Sequence, residues 1–156
     1  MATARSGKKL RKQVAALPVR RTAKGKLRVL MVTSRGTGRW VVPKGWPMKG
    51  RKAWQAAAQE ALEEAGAVGD ISSSKLGSFR YRKRRSRRAP VTCEVALFPM
   101  HVNRLHKKWR ERKERRRRWF SPRAAAKRVQ EKELRKMLAG LTEEGLKKAR
   151  IEFPSG

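Results

Sequence analysis

Apolar residues along this 156-residue chain fall into short blocks separated by basic stretches. Gln13 to Arg20 and Leu27 to Ser34 read as two strands, joined by a turn over Thr22 to Lys26. The run Leu27-Arg28-Val29-Leu30-Met31-Val32 is rich in strand formers. Trp40 to Val42 reads as a third strand, stopped by Pro43 and followed by a loop with Gly45, Pro47 and Gly50. The period then changes. From Lys52 to Gly66 the apolar positions Trp54, Ala58, Ala61, Leu62 and Ala65 recur at helical spacing, and Gly66 is a natural C-terminal cap. This stripe predicts that Glu60 and Glu64 lie on the opposite face, presented toward the Gly-containing loop.

Asp70 to Lys75 reads as a polar loop. Leu76 to Arg82 is a strand, Lys83 to Arg88 a basic hairpin loop, and Pro90 to Val102 a long strand. On the long strand, Val91, Cys93, Val95 and Leu97 share one face, and Glu94, Ala96 and Phe98 share the other. Arg104 to Arg118 is a charged connection, and Trp119-Phe120 forms a last short strand. Ser121 caps a helix with Pro122 at its first position. Glu131 to Leu141 is a helix apolar at Leu134, Met137, Leu138 and Leu141, and Thr142-Glu143-Glu144 opens a final turn. Strands, a helix, more strands and terminal helices predict a mixed α/β layered domain. Residues 1 to 11 read as a disordered basic tail and 12 to 156 as a single domain.

Composition narrows the chemistry. One cysteine, Cys93, excludes an internal disulfide and a cysteine-built zinc site. It lies in an apolar run and reads as a buried thiol. No apolar stretch is long enough to span a membrane, and the basic N-terminus lacks an apolar signal core, so a soluble cytoplasmic protein is expected.

Acids are scarce, 12 against 43 Lys and Arg. Three of them, Glu60, Glu63 and Glu64, fall within five residues of the predicted helix. Spacings of three and four bring them to one face, where like charges repel. Their neighbours one turn away, Ala56, Gln59, Ala67 and Val68, are uncharged, so the cluster reads as unpaired within its own segment. A cation from solution would complete it. Oxygen ligands without Cys or His point to Mg2+, with Mn2+ as a substitute.

At this point the chain resembles the Nudix family. The segment from Gly45 to Ala67 is similar to the Nudix box, G-x5-E-x7-R-E-U-x-E-E-x-G-U, where U is a bulky apolar residue. Gly45, Glu60, Glu63, Glu64 and Gly66 match in type and spacing. Ala61 and Ala67 are small for their positions. Arg51 replaces the first Glu, and Gln59 replaces the Arg, so the support those two residues lend the loop and helix must be rebuilt differently. The resemblance implies an α/β/α sandwich with a mixed sheet and flanking helices. It also implies hydrolysis of a phosphoanhydride by water made more acidic by a metal on Glu60, Glu63 and Glu64, with the Gly45 carbonyl as a further ligand. Pro43-Lys44-Gly45 resembles the subgroup acting on dinucleoside polyphosphates and diphosphoinositol polyphosphates. Lys44, Arg39 and Arg51 are candidates for holding substrate phosphates. Glu94 is a candidate base or outer ligand, with pairing to a nearby Arg as the other reading.

The net charge of +31 adds a second kind of partner. Arg80 to Arg88 and Arg104 to Arg118 are basic runs suited to RNA or other polyanions without sequence readout. Tyr81, Trp109 and Trp119 lie among them as stacking candidates. Both runs are expected to serve encounter and retention and to take no part in chemistry. An RNA 5′-end hydrolase and a non-catalytic nucleic-acid binder on the same scaffold are the alternatives.

Overall fold

The computed structural model describes residues 10–154. Eight strands form one mixed sheet: β1 (Leu10–Arg21), β2 (Leu27–Thr33), β3 (Trp40–Val41), β4 (Lys44–Gly45), β5 (Ala67–Ile71), β6 (Gly77–Arg85), β7 (Arg88–Leu105) and β8 (Arg117–Phe120). The helices are α1 (Ala53–Ala65), α2 (Pro122–Arg128), α3 (Lys132–Ala139) and α4 (Glu143–Lys148).

β1 and β7 form the centre and pair in parallel, from Leu10 opposite Thr92 to Val19 opposite His101. The other pairings are antiparallel. Every residue from Gln13 to Val19 is buried, as expected of a strand covered on both faces. Alternation along it then divides the core. Ala15, Leu17 and Val19 point with Val95 and Leu97 toward Leu134, Leu138 and Leu146 of the C-terminal helices. Val14 and Ala16 point with Phe98 and Met100 toward α1. The parity read along Glu94, Ala96 and Phe98 therefore holds, and the flanking helices take opposite faces of the sheet.

The predicted caps also hold. The Ser121 hydroxyl accepts from the Ala124 N–H at 3.1 Å, with Pro122 opening α2. Gly66 ends α1 at φ 64°, in the left-handed region where a side chain is strained.

Several boundaries differ. Leu10 and Arg11, expected in the tail, belong to β1 and pair with Thr92 and Cys93; the rest of that expectation lies outside the described residues. Gly45 of β4 and Asp70 and Ile71 of β5 were expected as loop. Both segments are drawn into strand by long neighbours, β4 by β1 and β5 by β7. β6 and β7 continue as a ribbon until Arg85 faces Arg88, so most of the basic hairpin loop is strand.

The orientation of α1 is the main correction. Its buried residues are Ala56, Ala57, Ala61, Ala65 and Glu64, while Leu62 is 36% exposed. A ladder of alanines lets the helix sit close against the sheet, which a Leu at that contact would prevent. Turning the alanines inward carries Glu64 partly beneath the helix instead of opposite its packed face.

Candidate active site

The short pairing of β4 with β1 places Gly45 opposite Val14 and Lys44 opposite Ala15. It also brings β4 against the acidic side of α1. The Glu60 carboxylate occupies the space a side chain at 45 would need, since a Cβ there would meet Glu60 Oε2 at 2.1 Å. Glu64, only 5% exposed, accepts the Lys44 backbone N–H on Oε1 at 3.4 Å. Positions 60 and 64 lie one turn apart, so their carboxyl groups repel when both are charged.

A proton on one of the two relieves that repulsion. Burial pushes both acids up, Glu64 to about 8, with the Arg115 charge working against the shift. A hard divalent cation would offset the same repulsion by replacing the proton. The oxygen-only donor set, with room at Gly45 for the Glu60 carboxylate to sit against β4, fits such an ion.

Glu63 does not join this pair. Lying on the other side of Glu60, it accepts from Gln59 Nε2 at 2.8 Å and meets Arg110 at 3.5 Å. Gln59 in turn accepts from Arg51 Nη1 at 3.1 Å. Among the described residues, no three acidic, His or Cys side chains converge on one point. Arg51 is thus spent on the helix surface beside Gln59, where the expected acid–Arg contact is replaced by an Arg-donated bond. The cluster is also not unpaired: Arg110 and Arg115 reach it from a distant segment.

That segment is the connection between β7 and β8, expected to be a charged run serving RNA or other polyanions. It instead closes the C-terminal end of α1. The Glu111 N–H donates to the Glu63 carbonyl at 3.0 Å, and the His106 N–H to that of Gly66 at 2.8 Å. Trp109 Nε1 donates to the Glu64 carbonyl at 3.0 Å, and Arg117 Nη1 to that of Ala65 at 2.8 Å. A helix end leaves such carbonyls without partners, and here four successive ones are satisfied from outside. Arg117 also lies 3.9 Å over the Trp109 ring, and Arg116 and Arg118 lie over Trp40. Of the rings expected to stack on bases, Trp109 is thus covered by Arg117 and Trp119 by Arg20.

The connection also delivers Glu111, whose negative charge helps raise both Glu60 and Glu64. Sequence reasoning missed it. The available signal was that Glu111 and Glu114 are the only acids in an otherwise basic stretch.

Lys44 links the acids to a cavity of about 650 Å³ on the other side of β4. Its backbone touches Glu64, while its ammonium lies 5.0 Å over the Tyr81 ring in the cavity wall. Burial lowers the Lys44 pKa, against the pull of Glu64 and Glu131. Arg39, Arg80, Arg82 and Arg84 line the same cavity with Tyr81 and Glu131. Arg39 Nη1 and Glu131 Oε1 are buried there without hydrogen-bond partners.

Glu94 stands apart from the acid pair. It accepts from Lys12 at 2.6 Å and meets Arg80 at 3.6 Å. The Lys12 hydrogen bond holds its carboxyl below the usual range. The pairing reading for Glu94 is the one the geometry supports.

The arrangement has counterparts among known proteins. Structures of a C. elegans Ap4A hydrolase complex and of a Nitrosomonas europaea NUDIX hydrolase align with TM-scores of 0.60 and 0.63. They cover 81% and 92% of this chain, and 91% and 93% of their own, at 22% and 20% identity, showing a common fold. Arabidopsis thaliana "Nudix hydrolase 12, mitochondrial" is 35% identical over 103 residues, 64% of this chain and 51% of the relative. Arabidopsis "Nudix hydrolase 4" is 30% identical over 95 residues, 61% and 44% respectively. The chain spans about half the length of these curated relatives. The NUDIX domain model matches residues 9–141, taking in the sheet, the glycine loop and α1. With the acid pair seated over Gly45 on that α/β scaffold, the chain belongs to the Nudix family.

Proposed function

We propose that this chain is a pyrophosphohydrolase cleaving a phosphoanhydride bond in a polyphosphorylated small molecule. The observation that carries this reading is Lys44, whose backbone meets Glu64 while its ammonium faces Tyr81 in the wall of the arginine-lined cavity. Lys44 is thus the residue placed to hold phosphate between the cavity and the acid pair.

Glu60 and Glu64 would hold Mg2+, or Mn2+ in its place, with Glu63 and the Gly45 carbonyl beside them. A bound cation would offset phosphate charge and make a water more acidic. Water attacks phosphorus, the bond to the bridging oxygen breaks, and the leaving phosphate keeps the electron pair. The water proton passes to a carboxylate. Glu111 suits that role better than Glu94, because the connection that caps α1 sets Glu111 beside the pair while Glu94 pairs with Lys12 and Arg80 away from it. Lys44 and Arg39 hold substrate phosphates, and Arg51, bound to Gln59, is released from that role.

The cavity favours a densely phosphorylated ligand of the diphosphoinositol polyphosphate type. It presents several guanidinium groups, and its one aromatic ring, Tyr81, is faced by Lys44 instead of lying open to a base. A dinucleoside polyphosphate is the second reading, favoured by Trp46, which is 42% exposed next to Gly45 and offers a stacking face.

The test is turnover with Mg2+ on diphosphoinositol polyphosphates, dinucleoside polyphosphates and 5′-triphosphate RNA. The highest kcat/KM is expected on the first. Preference for the second substrate class selects the Trp46 reading, preference for RNA selects the 5′-end alternative, and no turnover on any of them sinks the hydrolase reading.

A further inference from the structure

Arg115 is 10% exposed at its side chain, and its three guanidinium nitrogens go to three different elements. Nε donates to Glu111 Oε1 at 2.7 Å. Nη1 donates to the Thr33 carbonyl at the end of β2 at 2.9 Å. Nη2 faces Glu64 Oε1 on α1 at 3.8 Å. The backbone around it is fixed as well. The next N–H, of Arg116, donates to the Thr33 hydroxyl at 2.9 Å, and the Glu111 N–H is held by the Glu63 carbonyl. Glu111 thus stands at a set place beside the acid pair because one planar fork ties it to the sheet and the helix together.

We infer that Arg115 is a positioning residue: it fixes the Glu111 carboxylate against the Glu60–Glu64 pair so that Glu111 can take the water proton. The inference rests on the hydrolase reading above. It depends on geometry beyond charge. A lysine ammonium is a point charge on a flexible stem and cannot present three donors in fixed directions. Lys at 115 would keep the cation and lose the fork.

The experiment compares Arg115→Met, Arg115→Lys, Glu111→Gln and the Arg115→Met/Glu111→Gln double variant with the unaltered protein. Each is assayed well below its melting temperature on the substrate the turnover screen selects. Arg115→Met is expected to lower kcat about 100-fold, the scale of a misplaced reacting group, with KM changed less than about threefold. Arg115→Lys should resemble it. If Arg115 acts through Glu111, the double variant should be no slower than Glu111→Gln alone. Additive losses, or full activity in Arg115→Lys, would overturn the inference while leaving the hydrolase reading intact.

A second measurement needs no turnover. Hydrogen exchange of the Glu111 amide should quicken at least tenfold in Arg115→Met, while that of the His106 amide, on the neighbouring Gly66 carbonyl, stays slow. Unchanged exchange at Glu111 would show that the carboxylate's segment is held without Arg115 and would also overturn the inference. Absence of turnover in the unaltered protein, by contrast, would remove the reaction that gives Arg115 this role.

Discussion

Gly45 and Glu60 occupy one space: a methyl group on Gly45 would meet Glu60 Oε2 at 2.1 Å. Gly45 has an ordinary backbone angle, so Ala strains nothing locally and acts on the carboxylate alone. Gly45→Ala should displace Glu60 and lower turnover about 100-fold. Its melting temperature should stay within about 3 °C of the unaltered protein, because the far end of a Glu side chain gives way easily. Turnover and thermal unfolding, measured together, check this, and retained activity would show that Glu60 need not lie against β4.

Glu64 supplies a pH dependence with a definite sign. Its pKa in the fold is raised from 4.5 to about 8, so the folded state keeps a proton that the unfolded chain loses. That group's stabilisation is complete below pH 4.5 and is lost as pH rises through about 8. In chelator, the melting temperature should fall between pH 5 and pH 8, and Glu64→Gln should remove that component. Mn2+ titrated in at pH 7 should release about one proton per ion, and fewer at pH 9. Calorimetry in buffers of different ionisation enthalpy reads this directly. Equal proton release at both pH values would reject the raised Glu64 pKa.

Lys44→Met should raise KM at least tenfold on a polyphosphorylated substrate, with a smaller change in kcat, since the ammonium meets the substrate's phosphates and not the bond that breaks. Burial lowers the Lys44 pKa. The KM of the unaltered protein should therefore climb at a lower pH than an exposed lysine would give, and the variant should lose that rise. A fall in kcat with KM unchanged would move Lys44 from the cavity into the chemistry.

The two basic runs should respond oppositely to neutralisation. Arg117→Met removes a cap on the Ala65 carbonyl and a cation stacked on Trp109, and should cost about 1–3 kcal/mol of stability. Arg87→Gln and Arg88→Gln, on the exposed ribbon tip, should each stay within about 0.5 kcal/mol. The same ribbon changes should flatten the salt dependence of binding to a single-stranded polyanion, by about 0.7 in log–log slope per arginine that contacts phosphate. Denaturant unfolding and salt-dependent titration test the contrast, and equal stability losses in both runs would refute it.

Much of this architecture could be read along the chain because it depends on local order. The β7 alternation, the Ser121-Pro122 helix start and the spacing of Gly45, Glu60, Glu63, Glu64 and Gly66 are each set by residues close in sequence. The rotation of α1 was not legible. Hydropathy ranks Leu62 and Trp54 above alanine, but close packing on the sheet selected Ala57, Ala61 and Ala65, carrying Glu64 inward with them. Glu111 and Arg115 were missed for a related reason. A run of arginines looks solvated until pairing of β8 with β2 swings it onto the helix end. Their partners, the last carbonyls of α1, are backbone groups with no side-chain signature in sequence.

The parallel seam between β1 and β7 also governs the order in which the chain can assemble. Leu10 pairs with Thr92 and Val19 with His101, so β1 has no partner on that edge until the chain beyond residue 101 has been made. The antiparallel meeting of β1 and β2 at Val19–Arg21 can form early, leaving one edge of a future central strand open. Its unpaired stretch begins Leu10-Arg11-Lys12, and charge of that kind discourages joining to the wrong strand. Closure across such a separation is slow, because a large loop must be ordered before the pairing rewards it. The two layers of core meet on β1, so the strand on which both depend is completed only when β7 arrives.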